Sequence, residues 1–293
     1  MGEERTDPPF GKVVIIGIGL IGGSLGMAMR ARRLAREVVG VARRPETVSE
    51  ASARGAIDCG GTELVAALPG ADLVVIATAL GLTRRWCEAM APYLGPHTMV
   101  TDVGSAKEQV VRDATAALHH PAMFVGGHPI AGSEQKGVSH ARADLFEGAT
   151  YVLTPTPETD PGALDRMRTL VADLGSVVVE MDARSHDRLL ALTSHLPHVV
   201  VSCLAAAVGK ITQDNPAARR VIGMGLMDTT RIAAGPADVW TDILIANREQ
   251  ILAALALHLD VVTELVDALR AGDPDRVAEI LARGQTARQS WNT

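Results

Sequence analysis

The sequence predicts an α/β chain: an N-terminal Rossmann-type doubly wound sheet followed by an all-α C-terminal domain. Three observations predict it. Short continuous apolar runs alternate with helical segments from residue 12 to residue 180, the pattern of parallel strands buried on both faces. The first run ends in a glycine loop that opens a helix. From residue 185 onward only helical spacing remains. The division is expected between residues 1–182 and 183–293.

The elements follow in order. Residues 12–16 (KVVII) form the first strand, 21–33 a helix, and 37–41 the second strand. Residues 71–78 (ADLVVIAT) give another strand, with shorter ones at 98–102 and 123–126 and a helix over 106–118. Residues 129–150 are glycine-rich and irregular. A strand at 151–154, a helix at 163–174 and a last strand at 177–180 complete the first half. In the second half, 188–210 is apolar and carries Pro197, where a kink or break is expected. Residues 241–269 place Ile251, Leu255, Val262, Val266 and Leu269 on one stripe of a single long helix. Asp273 and Pro274 read as the N-cap and first residue of the last helix. These stripes must pack on the first domain, on a second copy, or on both.

Composition narrows the function classes. The net charge is −6 over 293 residues, with Lys plus Arg 28 against Asp plus Glu 34. That balance argues against a nucleic-acid partner and leaves room for a local basic pocket. Cys59, Cys87 and Cys203 are odd in number and widely spaced, so neither a disulfide framework nor a structural zinc site is expected. No run reaches the ~20 consecutive apolar residues of a membrane span. The segment MGEERTDPPFGK lacks a basic region followed by an apolar core, and a cytoplasmic location is expected.

The loop Gly17-Ile18-Gly19-Leu20-Ile21-Gly22 is a GxGxxG with a strand before it and a helix after it. The first glycine permits the turn, the second lets the backbone approach a pyrophosphate, and the third lets helix and strand pack closely. The helix N-terminus offers free N–H groups to the diphosphate. About 20 residues on, where an acidic residue would bond a ribose 2′-hydroxyl, stand Ala42, Arg43 and Arg44. A neutral residue with two guanidinium groups suits a 2′-phosphate, so NADP is expected as the preferred cofactor, with NAD possible.

Four polar clusters interrupt the remaining sequence. Thr101-Asp102-Val103-Gly104-Ser105-Ala106-Lys107 sits where a strand gives way to a helix, the edge at which ligands bind in open α/β sheets; Ser105 could equally be an N-cap. Gly126-Gly127-His128-Pro129-Ile130-Ala131-Gly132-Ser133-Glu134 holds a histidine just past a strand, placed to act as a general base. In Ser194-His195-Leu196-Pro197-His198, Ser194 and His198 share a helical face if Pro197 leaves the turn intact. No carboxylate or cysteine completes a ligand set there, so no metal is expected. Arg231, in Met227-Asp228-Thr229-Thr230-Arg231, reads either as a carboxylate clamp or as a surface ion pair.

GxGLIGGS, DVGSAK, GGHPIAGSE, SHLPH and TTRIA, with Trp240 after them, occur in that order. Together they resemble the prephenate/arogenate dehydrogenase family of tyrosine biosynthesis, over residues 12 to about 270. The resemblance implies oxidative decarboxylation of a cyclohexadienol, prephenate or arogenate, with hydride passing to NADP or NAD. It implies that His128 acts on the C4 hydroxyl, that Ser105 orients that hydroxyl and the nicotinamide, and that Arg231 holds a substrate carboxylate. Ser194, His195 and His198 would line the pocket, with Ser133 and Glu134 near its entrance. Cofactor contacts are expected at Gly17, Gly19, Leu20, Ile21, Gly22, Ala42, Arg43, Arg44, Thr78, Asp102 and Ser105. A homodimer through the helical domain is implied, as is a small-molecule substrate. An amino-substituted prephenate analogue and a silent NADPH-binding sensor are the alternatives.

Overall fold

A computed structural model describes residues 7–132 and 135–291. The elements run β1 (Phe10–Ile16), α1 (Leu20–Ala31), β2 (Ala35–Val41), α2 (Pro45–Ala53), β3 (Cys59–Gly61), α3 (Leu64–Ala67), β4 (Leu73–Ile76), α4 (Thr83–Met90), β5 (Met99–Asp102), α5 (Glu108–Ala117), β6 (Phe124–Pro129), β7 (Thr150–Thr154), α6 (Pro161–Asp173) and β8 (Val177–Glu180). Helices follow: α7 (Ala183–Leu190), a π-helical turn (Ala191–His195), α8 (Leu196–Thr212), α9 (Pro216–Arg220), α10 (Met224–Thr230), a 3₁₀ turn (Arg231–Ala234), α11 (Ala237–Ala246), α12 (Arg248–Ala271) and α13 (Pro274–Ser290).

The eight strands form one sheet in the order β3-β2-β1-β4-β5-β6-β7-β8. Every pairing is parallel except β6 with β7, which is antiparallel through the pairs Gly127 with Leu153 and His128 with Val152. The apolar runs serve both faces. Val13 and Ile15 point to one side with Leu25 and Met29 of α1 and Leu170 and Val171 of α6. Val14 and Ile16 point to the other with Cys87 and Met90 of α4 and Val110 and Ala114 of α5. Both sets are at most 1% exposed along β1, which explains why this strand is continuously apolar rather than alternating.

Three expectations about elements need correction. The strand expected over 123–126 continues to Pro129, so His128 stands within β6 rather than past it. The helix expected over 241–269 is two helices broken at Asn247, whose buried side chain is drawn into tertiary hydrogen bonds. The interruption expected at Pro197 appears as the π-helical turn just before it, within a helical run that continues from residue 183 to 212; the wider turn is where the hydrogen-bond ladder adjusts ahead of the proline.

The helical half has little core of its own in a single chain: Ala191, Ile251 and Ala254, with Leu196, Leu244 and Leu255 packed against them. Ile243 of α11 instead joins the sheet's second core beside Trp86 and Trp240, which docks the helical half onto the α4 side. Many large apolar side chains here remain exposed, among them Ile211, Val221, Leu252, Leu257 and Leu269. The run Ala183–Thr212 is long and apolar enough to cross a membrane by length and composition, and only 17% of its most apolar window is buried within one chain.

Candidate active site

The carboxyl ends of β1, β4, β5 and β6 lie along one edge of the sheet, and the glycine loop, Thr78, Asp102, Ser105 and His128 stand at or just beyond them. At the end of β1, Gly17 has φ +96°, and a Cβ on it would come 2.5 Å from the Ala77 carbonyl. A Cβ on Gly22 would stand 2.1 Å from the Gly17 carbonyl. The loop therefore requires glycine at both positions for the close approach of helix to strand. Gly19 faces open space. It is the N-cap of α1 and offers no side-chain cap, so the first N–H groups, those of Leu20, Ile21 and Gly22, are left for an external acceptor. This arrangement fits a dinucleotide diphosphate.

At the end of β2, Ala42 is buried while Arg43 and Arg44 are exposed. Neither arginine has an ion pair among the described residues. At the end of β4, Thr78 is half-buried and its hydroxyl accepts from the Trp86 indole at 3.0 Å.

The end of β5 is held by a buried ion pair. Lys107 and Asp102 are 0% and 2% exposed and bond through Nζ and Oδ2. Lys107 Nζ also donates to the Gly127 carbonyl at 2.8 Å. Asp102 accepts from the backbone N–H of Gly104 (2.8 Å) and of Gly127 (3.1 Å). The carboxylate of Asp102, a residue expected to contact the cofactor, makes its bonds within the protein and clamps the 102–107 loop to the residue before His128. Burial lowers the Lys107 pKa, and the Asp102 charge opposes that shift. A Cβ on Gly127 would lie 2.7 Å from the Asp102 carbonyl, so glycine there lets β6 approach the clamp.

Ser105 is half-buried in this loop. It does not cap α5. The helix begins at Glu108, and Asp187 of α7 caps it, accepting from Lys107 N at 2.7 Å and Glu108 N at 2.9 Å.

His128 is 7% exposed. Its Nδ1 lies 2.8 Å from His186 Nε2, and His186 Nδ1 lies 2.7 Å from Asp187 Oδ1. Burial, with the nearby His186, Lys107 and His195, holds the His128 pKa well below its ordinary value, so the ring is neutral at pH 7.

His195 and His198 join the same cluster. His198 stacks on Trp240, with ring centroids 3.5 Å apart and planes at 9°. His195 meets Trp240 edge-on at 6.3 Å, and the Ser105 backbone lies beside its ring. Burial pushes the His195 pKa down to about 4, Asp187 opposing, and burial lowers that of His198 as well. His195 Nε2 and His198 Nδ1 are buried without hydrogen-bond partners among the described residues. Buried polar atoms left this way ask for a ligand or water.

Ser194 is half-buried in the π-helical turn beside them. Arg231 is exposed where α10 passes into its 3₁₀ turn, outside the buried histidine cluster. Ser133 and Glu134 lie outside the described residues. Sequence reasoning did not single out His186, Asp187 or Asn247, and it quoted Lys107 and Trp240 within motifs without giving either a role.

The chain matches two family models in succession: "Prephenate dehydrogenase, nucleotide-binding domain" over residues 25–180 and "Prephenate dehydrogenase, dimerization domain" over residues 182–283. The chain belongs to the prephenate dehydrogenase family. The first match contains Ser105 and His128, and the second contains Ser194, His195, His198 and Arg231. A Bacillus subtilis prephenate dehydrogenase is 34% identical over 82% of this chain and 65% of its own length, so the matched region spans just under two thirds of that relative. Among solved structures, prephenate dehydrogenase from A. aeolicus in complex with hydroxyphenyl propionate and NAD+ superposes with a TM-score of 0.89 at 30% identity, covering 96% of this chain and 98% of that one. Synechocystis arogenate dehydrogenase gives 0.81 at 30% identity, covering 96% and 99%. The match to the nucleotide-binding domain begins within α1, just after the glycine loop, and runs to the end of β8, and the match to the dimerization domain falls on the helical half.

Proposed function

We propose that the chain is a homodimeric cytoplasmic dehydrogenase that oxidises and decarboxylates a cyclohexadienol, prephenate or arogenate, with NADP preferred over NAD. The domain division at residues 182 and 183 goes with this reading. The observation that carries it is the neutral, buried His128 at the sheet edge that also bears the glycine loop and Ser105. A neutral imidazole within reach of an alcohol is the base that such an oxidation needs.

When bound on Gly17 to Gly22, the nicotinamide cofactor supplies the hydride acceptor. His128 draws the proton from the C4 hydroxyl while the C4–H electron pair leaves as hydride. The bond from C1 to its carboxylate breaks, CO2 departs, and that electron pair completes the aromatic ring. The proton held by His128 returns to the same oxygen, so no net proton is consumed. Ser105 orients the hydroxyl, and Ser194, His195 and His198 line the pocket. Arg231 binds a substrate carboxylate from the rim. Support for NADP comes from the pair Arg43 and Arg44, exposed beside a buried Ala42 where a carboxylate would repel a 2′-phosphate. Support for the dimer comes from the apolar surface left open in the helical half.

Replacing His128 with Asn tests the base. Turnover should fall by roughly 10²-fold or more, the scale of general-base catalysis, while NADP binding stays within about twofold of wild type. Turnover that survives the substitution removes His128 from the chemistry.

A further inference from the structure

We propose that His186 and Asp187 are positioning residues that fix His128 with its proton on Nδ1, leaving the Nε2 lone pair as the working acceptor. The inference rests on the reading of His128 as the base. His186 and Asp187 stand in the polar stretch ARSHDR of α7, yet they are 0% and 1% exposed.

The hydrogen-bond chain leaves one consistent order of donors. The Asp187 carboxylate offers only acceptors. Its Oδ1 takes the Lys107 N–H at 2.7 Å and its Oδ2 the Glu108 N–H at 2.9 Å, so its orientation is fixed by the backbone at the start of α5. The His186 Nδ1 at 2.7 Å from Oδ1 must therefore be a donor. In the neutral ring, His186 Nε2 is then a lone pair, and the His128 Nδ1 at 2.8 Å must carry the hydrogen. His128 Nε2 is left unprotonated. A doubly protonated His186 would reverse the last bond and place the hydrogen on His128 Nε2, which abolishes the base. Which nitrogen of a histidine holds its proton is set by the bond that the other nitrogen makes. Here that partner is a second histidine, anchored in turn by a carboxylate.

The test uses the full chain with ¹⁵N-labelled histidine, in wild type and in the variants His186→Phe and His186→Gln. The His128 signals are assigned by their loss in His128→Asn. Wild-type His128 should show the Nδ1–H tautomer, the reverse of that favoured by a histidine free in water. In His186→Phe the Nδ1–H loses its acceptor. His128 should revert to Nε2–H, and kcat should fall on the order of 10²-fold with KM and NADP affinity within about threefold. His186→Gln supplies a carbonyl acceptor at a similar reach and should keep the Nδ1–H tautomer and most of kcat. An Nε2–H tautomer in wild type overturns the proposal. So does a His186→Phe protein that keeps both tautomer and kcat, or a His186→Gln protein as slow as His186→Phe. The tautomer is read without substrate. Failure of wild-type protein to turn over any cyclohexadienol would count against the proposed reaction, while the tautomer would still decide the positioning role.

Discussion

The Asn247 amide donates from Nδ2 both to the Asp187 carbonyl, at 2.8 Å, and to His195 Nδ1, at 3.1 Å. The carbonyl can only accept, which fixes the orientation of the amide. His195 Nδ1 is therefore an acceptor, and its proton sits on Nε2, a buried atom with no partner among the described residues. Asn247→Ala should cost about 1–3 kcal/mol of stability through the unsatisfied Asp187 carbonyl and should raise KM by freeing His195. Asn247→Asp should be worse, because a carboxylate cannot donate to that carbonyl. Urea unfolding and initial rates on the two variants check both statements. An aspartate variant as stable as wild type contradicts the assigned donors.

The lowered pKa of His195 makes stability depend on pH. The folded value is pushed down to about 4 from an ordinary 6.5, so below 6.5 the unfolded chain binds the proton that the folded one refuses. The contribution is fully present above 6.5 and is lost as pH falls toward 4, an effect of roughly 3 kcal/mol from this residue. His128, also depressed, acts in the same direction. Urea midpoints between pH 7.5 and 4.5 should fall, and His195→Gln should flatten part of that slope. An unchanged slope in the variant contradicts a neutral buried His195.

The Asp102–Lys107 pair predicts an asymmetric mutational response. Lys107→Met leaves Asp102 charged, buried and short of its cation, a loss of about 3–5 kcal/mol. It also releases the Gly127 carbonyl next to His128, so kcat should fall along with stability. Denaturant unfolding and kcat measured on the same preparation check this. Wild-type stability in Lys107→Met would mean that the pair is not the clamp.

Much of this site was legible in the sequence because its signals are local. The run KVVII, the glycine loop and the GGHP stretch each carry their reason within a few residues, and Gly17, Gly22 and Gly127 stand where backbone contact excludes a Cβ. The strand β3, Cys59–Gly61, has no apolar run to betray it; it exists because β2 offers a free edge. The break at Asn247 was hidden because the apolar stripe runs straight through it, and only the bonds to Asp187 and His195 show why the helix stops. His186 and Asp187 stand in the polar stretch ARSHDR, which carries no local signal of burial. They are buried because α7 docks against the start of α5, where Asp187 takes the Lys107 and Glu108 N–H groups, a relationship between residues 80 and 79 apart. Lys107 was in view within DVGSAK, but a lysine five residues from an aspartate looks like surface until β6 covers it.

The proposed preference for NADP rests on Arg43 and Arg44. Replacing both with Ala should weaken NADP binding at least tenfold, as expected for lost charge-assisted hydrogen bonds, and leave NAD within about twofold. Fluorescence titration of both cofactors measures it. Equal losses for the two cofactors contradict a 2′-phosphate contact.

The central claim is tested most directly by initial rates at 340 nm for prephenate and for arogenate, each with NADP and with NAD. The account predicts turnover of at least one of the two substrates, faster at low cofactor concentration with NADP than with NAD. No turnover in any of the four combinations would contradict it.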